Sequence, residues 1–333
     1  MPMKKYDVVI IGAGPAGSTF SRELSNDFDA LLLDKREMSE EKPCAGLLVG
    51  NSLEYFQKKN LDIDEMVFSS PKKPEQIYWD WDNEIKRKCG ELVNINRKKF
   101  DEWLYNLLDE NIDKKLNTIY KRHEKRGDEI EVCVDNNGEE EIIRTSYLVG
   151  CDGTISQVRN NIQGHGKKYR TALQEKTDIE TEDVFFIYDE NINSFYSWVV
   201  PKDKFTIIGS AFCDKSDLKK FQYFKDKLKE KFGDFDTFGN ENTLMTNSSQ
   251  DDIFLGQDNV ILCGEASGLM SPSSGEGISY ALRSAEMAAR AFNQKNNFFE
   301  SYKEQVKKLI KEISQKQKKY NKIKNPEERA KLF

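Results

Sequence analysis

The sequence lacks several features that would place it in common classes of protein. It has no uninterrupted apolar run near the ~20 residues that a membrane-spanning helix requires. It has only two histidines, His123 and His165, and no CxxC pair, so we expect no bound metal. Because the formal net charge is −6, general nucleic-acid binding is not expected.

The cysteines and the N-terminal residues indicate the cellular compartment of the protein. The first residues lead straight into an apolar strand, without the charged region, apolar region and cleavage site of a signal peptide. His165 lies in Gly-His-Gly, which is more typical of a turn than of a ligand. We interpret the cysteines as reduced thiols and expect a cytoplasmic protein. They are Cys44, Cys89, Cys133, Cys151, Cys213 and Cys263.

The clearest local pattern is at the N-terminus. The apolar run Tyr6 to Ile11 predicts a buried parallel strand, followed by a glycine-rich turn and a helix to about Leu24. A second apolar run, from Ala30, ends at Asp34, which completes the opening of a Rossmann-type unit. Such a turn lets a pyrophosphate reach the free N–H groups of the helix, and Asp34 can accept from ribose hydroxyls. This motif alone does not separate FAD from NAD(P).

The Rossmann-type pattern stops after the N-terminal part of the chain and reappears near Val260. Sheet-like segments fill residues 71–90 and much of 165–250, whereas the apolar strand from Val260 to Leu262 runs into a second glycine-rich turn and a helix. The predicted fold class is therefore α/β, a Rossmann-like dinucleotide domain interleaved with a mixed-sheet substrate or cap domain. The predicted bounds are 1–70, 91–165 and 253–295 for the first, 71–90 and 166–252 for the second, and 296–333 for a helical tail.

Three further segments carry a resemblance to a known superfamily. They are an RxxFDxxL helix from Arg97, a CDGxxSxVR segment from Cys151, and a glycine-rich segment from Gly264 to Gly277. In this order they resemble the FAD-dependent superfamily of aromatic hydroxylases, flavin halogenases and geranylgeranyl reductases. Glu265 stands where the family usually has aspartate, and its carboxylate can still accept from a ribitol hydroxyl.

The resemblance implies FAD as the cofactor and a set of residues that hold it. A helix N-terminus after Gly277 would lie beside the flavin, whose reduced form carries negative charge. The implied cofactor-binding residues are Gly12, Ala13, Gly14, Pro15, Ala16, Gly17, Asp34, Lys35, Cys44, Ala45, Gly46, Arg97, Asp152, Gly153, Gly264, Glu265, Gly275, Gly277 and Ile278.

Two elements favour the geranylgeranyl reductase branch. Lys42 to Gly46 (KPCAG) resembles the branch's PCGG loop, and the pattern Tyr196-x-Trp198-x-x-Pro201 followed by Gly209 resembles its YxWxFP segment. This branch implies an enzyme that reduces C=C bonds of an isoprenoid-like or other hydrophobic substrate. The alternatives are a monooxygenase that uses a flavin hydroperoxide and a non-catalytic flavin electron carrier.

Three residues are candidates for the chemistry. Cys44 is a candidate for a redox or proton-donating role, and a small buried thiol is the alternative. Tyr196 and Trp198 alternate on a strand and are expected to face a substrate cavity, with ordinary core packing as the alternative. Trp79 and Trp81 also alternate, and they are expected to line the same cavity.

The expected partners follow from this function. They are a hydrophobic or lipid substrate and a reductant, either NAD(P)H or a reduced electron carrier. From Tyr302 the chain carries eleven Lys or Arg against four Glu. This basic tail is interpreted as a solvated helical cap, and the alternative is a surface for peripheral contact with anionic lipid headgroups.

Overall fold

The chain forms two compact units in a computed structural model that describes residues 5–38, 40–164, 166, 168–212, 218–246, 249–295 and 297–332. The first unit comprises residues 1–41, 100–167 and 248–314, and the second comprises 42–99, 168–247 and 315–333. Residues 42–70 and 91–99, which the sequence analysis places in the dinucleotide domain, cluster with the second unit. The predictions for His165 and Cys213 lie outside the described residues.

The first unit is built on an eight-stranded sheet. Its path runs β16-β17-β10-β1-β2-β7, with parallel pairing from β17 to β7 and an antiparallel β8–β9 ribbon attached to β10. Numbered along the chain, the strands are β1 (Lys5–Ile11), β2 (Ala30–Leu33), β7 (Ile112–Lys115), β8 (Thr118–Arg126), β9 (Glu129–Asn136), β10 (Glu139–Gly150), β16 (Gly256–Gln257) and β17 (Val260–Leu262).

Both faces of this sheet are covered, which explains the unbroken apolar character of its central strands. Val8 and Ile10 of β1 pack on one side in a cluster with residues of three helices, and Val9 and Ile11 pack on the other side with Val132 of β9. The helices with residues in this unit are α1 (Pro15–Glu23), α3 (Arg97–Asn106), α4 (Gln157–Gln163), α6 (Ile278–Asn293) and α7 (Phe298–Ile323).

The second unit is built on a seven-stranded sheet in the order β15-β11-β14-β13-β12-β4-β5. Only the β12–β4 pair is parallel among these strands. The strands are β4 (Gln76–Asp80), β5 (Ile85–Lys88), β11 (Tyr169–Thr177), β12 (Val184–Tyr188), β13 (Ser197–Lys202), β14 (Phe205–Phe212) and β15 (Thr237–Thr246). The remaining elements are the ribbon of β3 (Leu47–Val49) and β6 (Leu92–Asn94), and the helices α2 (Gly50–Lys58), α5 (Leu218–Phe232) and α8 (Pro326–Ala330).

The two faces of the seven-stranded sheet carry different side chains. One face packs against α5, where Phe185 and Val199 form a cluster with Phe224. The other face, here called the aromatic face, carries Tyr78, Phe186, Tyr188, Tyr196 and Trp198. Trp79 and Trp81 pack in the α5 cluster, so the expectation that they line the same cavity as Tyr196 and Trp198 is wrong. Neighbouring residues on a strand point to opposite faces, and Tyr78 takes the aromatic face.

A buried ion pair fixes α8 to the second unit. Arg329 donates from Nε and Nη2 to the two carboxylate oxygens of Asp80, at 2.7 and 2.9 Å. It also contacts Asp82 and donates from Nη1 to the carbonyl oxygen of Ile323 at 2.9 Å. Asp80 is fully buried and Arg329 is 3% exposed. Because water does not reach these two charges, the hydrogen bonds between them must offset the cost of their desolvation.

Helix α7 is amphipathic rather than uniformly solvated. Tyr302, Val306, Leu309 and Ile313 are buried in the core cluster of the first unit. Two lysines of the same helix are paired within it, Lys303 with Glu300 and Lys307 with Glu304. Within the described part of the chain, no helix has both the length and the apolar character needed to cross a membrane.

Candidate functional site

Four loops of the first unit follow the carboxyl ends of neighbouring parallel strands. They follow β1, β2, β10 and β17, and the segments picked out by sequence lie on them. Their backbones are in close approach: a Cβ on Gly12 would lie 2.5 Å from the carbonyl oxygen of Cys151, and one on Gly264 would lie 3.4 Å from the Cβ of Ala16. The edge of a parallel sheet at its carboxyl ends is where open α/β folds bind ligands.

The loop from Gly12 to Gly17 needs its glycines for two different reasons. A Cβ on Gly17 would lie 1.8 Å from the carbonyl oxygen of Gly12, so the turn itself excludes a side chain there. A Cβ on Gly14 would meet nothing within 4 Å, which leaves open space directly before α1. Helix α1 starts at Pro15 without a side-chain cap, so its first turn is suited to an anionic ligand.

Asp34 holds the glycine loop from the end of β2. Its Oδ2 accepts from the backbone N–H of Ala13 at 2.7 Å, and its Oδ1 accepts from that of Arg36 at 2.8 Å. A carboxylate oxygen can accept more than one hydrogen bond, so these contacts leave acceptor capacity for a ribose hydroxyl. The predicted neighbour Lys35 has an exposed side chain.

Asp152 has one carboxylate oxygen bound and one without a partner. Oδ2 accepts from the backbone N–H groups of Gln157 and Val158, at 2.7 and 3.1 Å, and so caps α4. Oδ1 is buried and has no hydrogen-bond partner among the residues that the structure describes. Burial raises the pKa of Asp152, and hydrogen bonding with the Ser156 side chain and with backbone N–H groups opposes that shift. An unsatisfied buried acceptor calls for a donor that a ligand can supply.

The N-terminus of α6 carries a carboxylate that the sequence analysis did not assign. Glu276 accepts from the backbone N–H of Ser279 at 2.6 Å and from its hydroxyl at 2.9 Å. This places negative charge at the positive end of α6, beside the predicted residues Gly277 and Ile278. Gly264 donates to the Ser284 hydroxyl at 2.8 Å, and Glu265 is half-buried.

In the second unit, the loop with Cys44 is held by a buried lysine. Lys202 donates from Nζ to the carbonyl oxygens of Gly46 and Ile95, at 2.9 and 2.8 Å, and also contacts Asn94. The Cys44 thiol accepts from the N–H of Gly46 at 3.4 Å. Burial lowers the pKa of Lys202 to about 7, and the neighbouring Cys44 raises it by a smaller amount.

The Cys44 loop packs onto the aromatic face. Ala45 and Leu47 belong to the same cluster as Tyr196 and Trp198. The rings of Tyr196 and Trp198 are edge-to-face at 6.0 Å between centroids. A Cβ on Gly209 would lie 2.3 Å from the Trp198 ring, so the glycine lets the indole lie flat on β14. Arg97 begins α3 and is half-buried.

The sequence pattern of the FAD binding domain family matches residues 5–295. The chain belongs to the FAD binding domain family. It is also 32% identical over 300 residues to protein CbrA of Escherichia coli strain K12, an alignment that covers 86% of this chain and 83% of CbrA.

Three solved structures share this fold. A geranylgeranyl bacteriochlorophyll reductase-like protein from Thermoplasma acidophilum aligns with a TM-score of 0.82 and 17% identity, over 96% of this chain and 88% of its own. The flavin-dependent brominase Bmp2 aligns with a TM-score of 0.73 and 18% identity, over 99% and 92%. Aklavinone-11 hydroxylase aligns with a TM-score of 0.67 and 15% identity, over 88% and 63%. The predicted fold class is thereby confirmed.

Membership of the FAD binding domain family confirms FAD as the cofactor, and the first unit fits it. The open space at Gly14, the uncapped start of α1 and the unpartnered Oδ1 of Asp152 are the features that a dinucleotide needs. The protein is therefore an FAD-binding member of this family. The individual contacts predicted for FAD stay predictions.

Sequence reasoning missed two polar residues at these sites. Glu276 stands within a recognised glycine-rich segment directly before a predicted helix, where an acidic side chain is favoured, and this position could have revealed its role. Lys202 lies in a strand of the second unit, and no local pattern distinguishes it from a surface residue. Its burial depends on strand pairing over long distances in sequence.

Proposed function

We propose that this protein reduces C=C bonds of a hydrophobic, isoprenoid-like substrate. One observation carries the proposal: Ala45 and Leu47, which follow Cys44 in its loop, pack in one cluster with the aromatic pair Tyr196 and Trp198 on the aromatic face. Such a surface offers an apolar wall to an alkene and a thiol at its end. The fold likeness to a geranylgeranyl bacteriochlorophyll reductase-like protein agrees with this function.

The residues of the second unit would act on the substrate in three ways. Tyr196 and Trp198, which are 9% and 6% exposed, would bind the alkene and exclude water. Cys44 would donate a proton to one alkene carbon and regain it from solvent. The Lys202 ammonium holds the Gly46 carbonyl, and its charge would stabilise the thiolate left on Cys44.

The cofactor completes the reaction in this proposal. Reduced FAD, when bound, would supply the hydride for the second alkene carbon, so one C=C bond would become a C–C bond with one hydride and one proton added. The two electrons come from NAD(P)H or from a reduced electron carrier, which are the reductants that we propose.

Rapid mixing tests the function. The purified protein is reduced with dithionite and mixed either with an oxygen-free polyprenyl alkene or with air-saturated buffer, while flavin absorbance is followed. A reductase reoxidises in the alkene arm and yields the saturated product. If only oxygen reoxidises the flavin and a hydroxylated product forms, the protein is a monooxygenase and the proposal is wrong.

A matched pair of cysteine variants tests the proton donor. Cys44→Ser should bind FAD normally and slow alkene-dependent reoxidation by about 100-fold or more, since positioned acids contribute on the order of 10²–10⁴ in rate. Cys89 is also half-buried and lies at the end of β5, so Cys89→Ser should react like the parent protein. Undiminished reoxidation in Cys44→Ser would remove Cys44 from the mechanism.

A further inference from the structure

One edge strand of the second unit differs from the other edge strands that the structure describes. Strand β15 is at the end of the seven-stranded sheet, and among the described strands it pairs with β11 alone. It has ten residues, TFGNENTLMT, of which only Glu241 is charged. Residues 237–240 and Asn242 are exposed. The sheet therefore ends in a long, accessible and nearly uncharged strand.

The other described edge strands are short or strongly charged. At the opposite end of the same sheet, β5 has four residues, and its Lys86, Arg87 and Lys88 are exposed. In the first unit, β7 and β16 have four and two residues, and the nine-residue β8 carries five charged side chains. The ribbon strands β3 and β6 have three residues each. Short length and charge keep natural edge strands from pairing with other chains, and β15 has neither protection.

The charge of Glu241 is compensated within the sheet. Its carboxylate accepts from the side-chain amide of Gln174 at 2.6 Å and forms an ion pair with Lys176 at 3.4 Å. Both partners lie on β11, which is the inner neighbour of β15. A second copy of β15 would therefore meet no unbalanced like charge, whereas two copies of β5 would bring their exposed cations together.

A β-bulge defines which part of β15 is regular. The register with β11 shifts between Glu175 and Lys176, where Gly239 is the extra residue of β15 and has φ of +69°. Residues 240–246 keep an unbroken register with β11. They form an edge of about 24 Å, along which alternate N–H and C=O groups point away from β11. Beside the bulge, Phe238 is 49% exposed, and aromatic side chains are enriched in interfaces between proteins.

We propose that β15 pairs antiparallel with β15 of a second copy of this chain, so that the two seven-stranded sheets join into one across a two-fold axis. Strands related by such an axis are antiparallel, and their pairing satisfies the outward backbone groups of both copies at once. Two-fold dimers are also the commonest closed oligomers. Symmetry and charge balance thus favour the chain itself as the partner. This interface is independent of the reaction proposed above.

Light scattering after size-exclusion chromatography of the FAD-loaded protein tests the pairing. The parent, Asn242→Lys and Gln222→Lys are compared across about a 100-fold range of concentration. Asn242 is exposed on β15 and Gln222 is exposed on α5, so the two variants add the same charge to the same unit. Only the first variant places that charge on the sheet edge.

The parent and Gln222→Lys should have the mass of a dimer. Asn242→Lys places an ammonium group from each copy near the two-fold axis, so its dimer dissociation constant should be roughly 10-fold higher or more. Asn240→Lys combined with Asn242→Lys should be a monomer throughout. A parent that is monomeric at the highest concentration, or a dimer that Asn242→Lys weakens no more than Gln222→Lys does, would overturn the proposal.

Hydrogen exchange shows whether β15 itself forms the interface. Amides of residues 240–246 that point away from β11 should be protected in the parent and should exchange about 10-fold faster or more in the double variant. Because both substituted side chains are exposed, the circular dichroism spectrum of that variant should match the parent's, and a monomer with this spectrum supports the proposal. A parental dimer whose outward β15 amides exchange as fast as those of the double variant pairs through another surface, which would contradict the proposal.

Discussion

The ion pair between Arg329 and Asp80 allows a quantitative test of what holds α8 in place. Replacing Arg329 with methionine removes both bonds to Asp80, the contact with Asp82 and the bond to the Ile323 carbonyl. Loss of one partner of a buried ion pair costs about 3–5 kcal/mol. Asp80 keeps Asn83 as a donor at 2.8 Å, so we expect a loss in the free energy of unfolding near the lower end, about 3 kcal/mol.

Urea unfolding followed by tryptophan fluorescence measures this loss. Of the four tryptophans, Trp79, Trp81 and Trp198 belong to the second unit, so the signal reports mainly on the unit that contains the pair. Lys331→Met is the matched control, because Lys331 pairs with Glu328 on the surface and its removal should leave the midpoint unchanged.

Two results would refute the reasoning about this pair. One is a loss below about 1 kcal/mol in Arg329→Met, which would mean that solvent or rearrangement compensates the buried carboxylate. The other comes from Arg329→Met combined with Asp80→Leu. Replacing both partners removes the buried charge and should restore part of the stability, so a double variant no better than the single one would contradict this account.

Three further predictions follow from single contacts. Gly17→Ala places a Cβ against the Gly12 carbonyl and should lower both the melting temperature and the affinity for FAD. Gly14→Ala should fold normally and lose only affinity for FAD. Fluorescence titration of the apoprotein with FAD measures both affinities. Glu276→Gln removes negative charge at the start of α6 and should raise the midpoint potential of bound FAD by about 20–45 mV, equivalent to about 1–2 kcal/mol. A spectroelectrochemical titration measures this potential. An unchanged potential would place Glu276 away from the flavin. Burial lowers the pKa of His123 to about 4, below its unfolded value near 6.5. The folded protein therefore favours the neutral imidazole, and its free energy of unfolding is highest above pH 6.5 and decreases as the pH falls toward 4. In His123→Phe the urea midpoint should therefore fall less between pH 7 and pH 4.5 than in the parent, and equal falls would contradict this assignment.

The central strands of the first unit were predictable because each is buried on both faces. The runs Ala30–Leu33 and Val260–Leu262 are apolar throughout, and the structure gives both as strands with these bounds. Strand β8, TIYKRHEKR, is mostly exposed and charged, so no apolar pattern indicates it. Its pairing with β9 determines its conformation. Residues Ser146 to Gly150 continue the hairpin strand β10 without a break.

The candidate site was predictable where the chemistry depends on local backbone shape. The glycines at 12, 14 and 17 follow from the needs of one turn, and the same reasoning applies to Gly264, where a Cβ would lie 3.2 Å from Ala281. Positions set by distant strand pairing were not predictable. Trp79 and Trp198 have the same alternating pattern in sequence, yet they lie on opposite faces of one sheet, and only the register of β4, β12 and β13 decides which face each takes.

The three-segment construction of the first unit has a consequence for how the protein is made. Strand β1 leaves the ribosome well before the helices α6 and α7 that cover Val8 and Ile10, because these helices are encoded some 270 residues later. At about 5–20 residues per second, this apolar surface stays without its cover for roughly 15–50 s of synthesis. A product that terminates before residue 278 never acquires that cover, and we expect it in the insoluble fraction or bound to chaperones.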